Sequence, residues 1–218
     1  MKSKIHEYLL KLNNKAMSKT IKITSLRTVT NLSLVLLLLT SACGKSGNKA
    51  KAEATNSTET KLVVATPEMD IHGAVLTGNL DAVKQHIEAG TDINQKEAMS
   101  GSTPLMSAAT FNKPEIAKVL INANADLSVK NNDGGTALHT AAFFGRIEIV
   151  QLLIDAKADK TVRNNYGATA RETAMVDFAQ MKPIYEMLIQ QLQPMGFTLD
   201  LNELQKALPV VAMMLQKT

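Results

Sequence analysis

Thr103-Pro104-Leu105-Met106-Ser107-Ala108-Ala109 returns as Thr136-Ala137-Leu138-His139-Thr140-Ala141-Ala142, and again, degraded, as Thr169-Ala170-Arg171-Glu172-Thr173-Ala174-Met175. Each step is 33 residues. A fixed step of that size marks stacked units that cannot bury their apolar faces alone. Later positions keep the same time. Asn124-Ala125-Asp126-Leu127 recurs as Lys157-Ala158-Asp159-Lys160, and Gly90-Thr91-Asp92-Ile93-Asn94 is an earlier copy.

The motif residues have physical reasons. Thr103, Thr136 and Thr169 can cap a helix through the side-chain oxygen. Pro104 sits where the first helical N–H has no partner anyway. The alanine pairs allow neighbouring helices to approach closely. Gly145 ends the first helix of its unit, and Asn112 takes that place one unit earlier; both tolerate positive φ. Pro114 opens a second helix. Ile147, Val150, Leu153 and Ile154 fall at helical spacing, as do Ile116, Val119, Leu120 and Ile121.

The period and the T-P-L-H-x-A pattern resemble the ankyrin repeat. The resemblance implies an all-α solenoid of about four stacked helix-turn-helix units, with residues 67–193 as the repeat domain. The terminal units deviate. Ala74, Gly78 and Val83 of the first align only by a step of 34, so one extra residue lies near Met99. The fourth has about two extra residues before Pro183, and polar Arg171 and Glu172 suit an end that faces solvent. Residues 194–218 carry one apolar stripe, Leu201, Leu204, Leu208, Val211 and Leu215. It reads as a C-terminal helix that caps the last unit and kinks at Pro209, with a partner-binding helix as the rival reading.

Residues 1–42 read as an export signal: Lys19, Lys22 and Arg27, then an apolar run from Leu32 to Leu39, then Thr40-Ser41-Ala42-Cys43. The run is shorter than the ~20 residues of a spanning helix. Met17 is the expected true start. The ending resembles a bacterial lipobox, with Thr40 where leucine is usual. That resemblance implies lipidation of Cys43, the only cysteine, and Gly44 after it implies the outer membrane with the protein facing the periplasm. Residues 43–66 read as a lipid-attached flexible linker. As a coil it would span about 25 Å.

Composition excludes several classes. The net charge of +4 suggests nucleic acid, but seven of 24 Lys/Arg and one of 20 acids precede Cys43. The rest is slightly acidic and offers no stripe for a phosphate backbone. No histidine pair has metal spacing, no nucleophile elbow occurs, and no cofactor is expected. Asp126 and Asp159 recur with the repeat as turn residues. The ankyrin resemblance gives His139 a bond to turn backbone and no catalytic role.

The resemblance also implies a protein partner, bound on a concave face of turn tips and first helices. Mapped onto this chain, the contact positions are Met99, Ser100, Ser102, Thr110, Phe111, Asn132, Asp133, Phe143, Phe144, Asn165 and Tyr166, with Arg146 and Arg163 beside them to meet carboxylates. Four of the seven aromatics after Cys43 fall in this set, as a binding hot spot would need. The alternative reading places one or both of Phe143 and Phe144 in the core. The expectation is a non-enzymatic interaction module, monomeric when unbound, serving as an immunity or inhibitor protein. The alternatives are an accessory to a periplasmic enzyme such as a catalase, an enzyme with an unrecognised site, or a structural spacer.

Overall fold

The computed structural model describes residues 67–216. The export signal, Cys43 and the linker lie outside the described residues. Helices come in pairs: α1 (Ile71–Thr77) with α2 (Leu80–Glu88), α3 (Pro104–Thr110) with α4 (Pro114–Asn122), and α5 (Ala137–Phe143) with α6 (Ile147–Asp155). Then follow α7 (Ala170–Ala174), α8 (Phe178–Leu192), a 3-10 turn (Gln193–Met195) and α9 (Leu201–Met214). No strand occurs among the described residues.

Each first helix packs on its own second helix and on the next first helix, and second helices pack in a parallel row. The residues explain this. Ala74, Ala108, Ala109, Ala141 and Ala142 are fully enclosed, so backbones meet without bulky side chains between them. Ile71, Leu105 and Leu138 fill the spaces at the helix starts, and Leu120, Ile149 and Leu153 fill those on the other side. Each fully buried leucine or isoleucine contributes about 1.5–3 kcal/mol. Ile147 departs from the predicted stripe. It is 40% exposed, and Ile149 takes the core position.

The helix ends follow their chemistry. Thr103 Oγ1 accepts from the Met106 N–H, and Thr169 Oγ1 from the Glu172 N–H. Asn112 and Gly145 both adopt positive φ, 53° and 62°, where the first helix must turn sharply into the second. The 34-residue step also holds. It sets Gly78 (φ 72°) against Asn112, and it sets His72 against Met106 and so, one unit further on, against His139.

The last unit is built differently from the sequence reading. The sequence places its second helix before Leu192. In the structure α9 packs on both α6 and α7, the two neighbours that a second helix would have, and α8 stands outside that row. Leu204, Leu208, Val211 and Leu215 cover the flank that α6 would otherwise leave open. Gly145 permits this approach: a β-carbon there would stand 2.8 Å from Leu204 Cδ1. The helix runs through Pro209, which removes the N–H that would bond the Gln205 carbonyl, and both residues are exposed.

Lys157 has φ 64° at the position where Gly90 serves in the first unit. A non-glycine residue there costs about 1–2 kcal/mol, against about 0.5–1 kcal/mol of extra entropy lost by glycine. Lys157→Gly should therefore raise stability by about 0.5 kcal/mol, read as a higher midpoint in urea denaturation at unchanged slope.

Candidate functional site

The turn tips form one continuous row. Asn132 N–H donates to the Ser100 carbonyl and Asn165 N–H to the Asp133 carbonyl, each at 2.9 Å. Side chains repeat the link: Asn132 Nδ2 donates to the Met99 carbonyl at 3.1 Å and Asn165 Nδ2 to the Asn132 carbonyl at 3.2 Å. Within each tip an asparagine closes the loop. Asn131 Oδ1 accepts from Asp133 and Gly135, and Asn164 Oδ1 from Tyr166 and Ala168. In the earlier tip Glu97 does the same work for Met99 and Ser100. Although burial opposes ionisation there, its hydrogen bonds to Ser100, Met99 and Ser102 hold its carboxyl below the usual range.

Histidines brace the row from below. His139 Nδ1 accepts from the Thr136 N–H at 3.2 Å, which leaves the proton on Nε2 to donate to the Ala168 carbonyl at 3.1 Å. His72 Nε2 makes the same kind of bond to the Gln95 carbonyl. Asp126 and Asp159 bond Ser128 and Thr161 two residues on, side chain and backbone, and both carboxyls are held low by those bonds. They are turn-formers, as the repeat spacing implies.

The predicted contact residues divide into two groups. Met99, Ser100, Asn132, Asn165 and Arg163 are exposed at the tips, with Met99 74% open; Ser102 and Asp133 are half-buried among them. Arg163 pairs with Glu172 at 2.7 Å. Tyr166 donates its hydroxyl to Asp133, and burial, with that carboxylate beside it, pushes the phenol up to about 12.

The second group does not form an open hot spot. Phe144 is buried at 8% exposure, and Phe111, Phe143 and Thr110 are half-buried. Rings from the segment after α7 cover them. Phe197 meets Phe111 at 5.9 Å and Phe144 at 5.4 Å between centroids. Tyr185 lies 4.9 Å from Phe143 and donates its hydroxyl to the Phe143 carbonyl at 2.9 Å. Arg146 turns inward rather than toward a partner. Its Nη2 donates to the carbonyls of Thr110 and Thr198, its guanidinium lies beside the rings of Phe144 and Phe197, 5.8 and 5.9 Å from their centroids, and burial lowers its pKa to about 10. Tyr185, Phe197 and Thr198 were missed in the sequence. The signal for them was the surplus length before α9.

Among the described residues no group of His, Cys, Asp or Glu could hold a metal ion, and no helix is long and apolar enough to cross a membrane.

The repeat geometry has its match in known proteins. A family model described as ankyrin repeats, in three copies, matches residues 71–164. Residues 71–164 are ankyrin repeats. The human protein phosphatase 1 regulatory subunit 27 is 44% identical over 64 residues, 29% of this chain and 41% of its own. An ankyrin repeat-containing protein of Schizosaccharomyces pombe is 49% identical over 65 residues, 29% of this chain and 30% of its own. An ankyrin repeat protein of Rickettsia bellii is 41% identical over 59 residues, 26% of this chain and 8% of its own. The chain thus spans less than half the length of these curated relatives. Such repeats make it a protein–protein interaction module.

His139 carries a pH consequence. Burial is the main cause that holds its pKa below 6.5, with Lys130 adding to it and the carbonyls of Ala168 and Val162 opposing. The folded state therefore binds fewer protons than the unfolded one. Stability from this group is complete above pH 6.5 and falls as pH drops through 6.5 toward the lower folded value. His139→Gln keeps an acceptor for the Thr136 N–H. In melting curves from pH 7 to 5 it should lose less stability on acidification than the wild type.

Proposed function

We propose that this protein captures a protein partner along the row of turn tips formed by Met99, Asn132 and Asn165, while held at a bacterial envelope membrane by a lipid on Cys43. The observation that supports capture is the tip row itself. It presents an exposed, unbranched methionine, which adapts to varied surfaces, beside exposed asparagine amides. Of the first helices beneath it, α1, α3 and α5 contain no Asp, Glu, Lys or Arg, whereas α7 carries Arg171 and Glu172, so the part of the face over α1 to α5 favours a largely uncharged partner surface. The regulatory subunit among the relatives supports the same class of role.

The anchored location rests on the charged, apolar and small-residue order that ends at Cys43. The outer membrane, facing the periplasm, is the compartment that Gly44 favours. An immunity or inhibitor role fits a tethered binder that intercepts its partner at the envelope; support of a neighbouring periplasmic enzyme is the second role that a tethered binder can fill.

Capture is tested by affinity purification from envelope extract of the native host. Met99→Glu with Asn165→Glu should abolish recovery of the partner while the far-ultraviolet circular dichroism stays that of the wild type. Recovery undiminished by these changes would move the site elsewhere. Phe144→Ala is the contrast: it should lower stability by about 3–5 kcal/mol, as loss of a core aromatic does. Anchoring is tested separately. Cys43→Ser should remove incorporation of labelled palmitate and shift the protein from the membrane pellet to the soluble fraction.

A further inference from the structure

In repeats two and three, only Phe111–Lys113 and Phe144–Arg146 separate the first helix from the second. In repeat four the same junction runs from Met175 to Asp200 and contains α8. Closing the stack requires α9 on α6 and α7, and nothing in that packing calls for so long a connection. What the insertion does is cover. Its Tyr185 and Phe197 lie on Phe143, Phe144 and Phe111, the aromatic cluster of repeats two and three.

The cover is lightly held. Across residues 177–200 only Met181, Tyr185 and Phe197 are buried. Gly196, at φ 80° with open space around it, offers a pivot just before Phe197. The fastening at Arg146 is incomplete. Its Nε is sealed from solvent without a hydrogen-bond partner, and among the described residues no carboxylate pairs with it. A desolvated guanidinium that meets carbonyls and ring faces but no carboxylate is less well satisfied than one held by a carboxylate fork. Closure therefore leaves a demand that an incoming anion can meet.

We propose that the Asp177–Asp200 insertion is a displaceable internal ligand. It occupies the aromatic surface until a partner segment with an aromatic ring beside a carboxylate replaces it. The ring takes the place of Phe197, and the carboxylate supplies Arg146 with its missing counter-ion. This surface is separate from the turn tips and does not depend on capture there.

Two measurements on the full chain test this. In hydrogen exchange read by mass spectrometry, amides of α8 should open roughly tenfold more readily than those of α5 and α6, as a local unit with its own opening equilibrium. The binding probe is a fluorescent peptide that copies residues 177–200 with Thr198→Glu. It should bind the Tyr185→Ala, Phe197→Ala chain roughly tenfold more tightly than the wild type, a difference of about 1.4 kcal/mol. Adding Arg146→Met should remove its advantage over the unaltered peptide. Exchange of α8 in step with α5 and α6 overturns the proposal. So does equal affinity for the two chains, including failure to bind either. If the double variant loses its helical signal, exchange on the wild type decides alone. A partner recovered through the turn tips of a chain whose α8 stays shut would leave the capture reading intact while this one fails.

Discussion

A helix pair in this stack always has one flank that it cannot cover itself. Everything else in the described structure follows from how successive flanks are closed. Within the array the next pair does it, and the alanines at 108, 109, 141 and 142 let the backbones come close enough. Beyond α6 the described residues hold no further regular pair. The flank of α6 is closed by α9, whose four buried apolar residues stand where a regular second helix would place its own. Gly145 is the point at which that closure is most exacting, because positive φ and near contact with Leu204 coincide there.

The same requirement sorts the aromatic residues. Phe144 and Phe197 are buried together, and Phe143 lies under Tyr185. They form the contact between the array and its irregular last unit. Of the contact positions expected from the sequence, those that stay open are therefore fewer and more polar than a cluster of phenylalanines: the tip row, joined by asparagine amides and braced by His72 and His139.

Much of this was legible in the sequence, because local chemistry repeats with the period. The threonine caps, the positive-φ positions at Asn112 and Gly145, and the turn-forming aspartates depend on neighbours a few residues away. The fourth unit was harder to read. Its second helix follows an insertion that has helical periodicity of its own, so spacing alone assigned α8 to the stack. A sharper clue was present in Asp200-Leu201-Asn202-Glu203, an acid three residues before a glutamate, which is a start signal for a helix. Asp200 Oδ1 indeed accepts from Asn202 and Glu203. The inward turn of Phe144 and Arg146 had no local signal at all, since the groups that cover them, Phe197 and Thr198, are more than fifty residues away.

The long junction between α7 and α9 also sets the order of assembly. Repeats two and three join their helices through a tight turn, whereas the last unit must close a loop from Met175 to Asp200. By chain statistics that closure costs about 2 kcal/mol more. It also waits for the residues after Asp200 to be synthesised. Until then the growing array carries an apolar edge at α6, so the nascent chain passes through a stage in which its newest layer is sticky and unfinished, and the arrival of α9 ends that exposure.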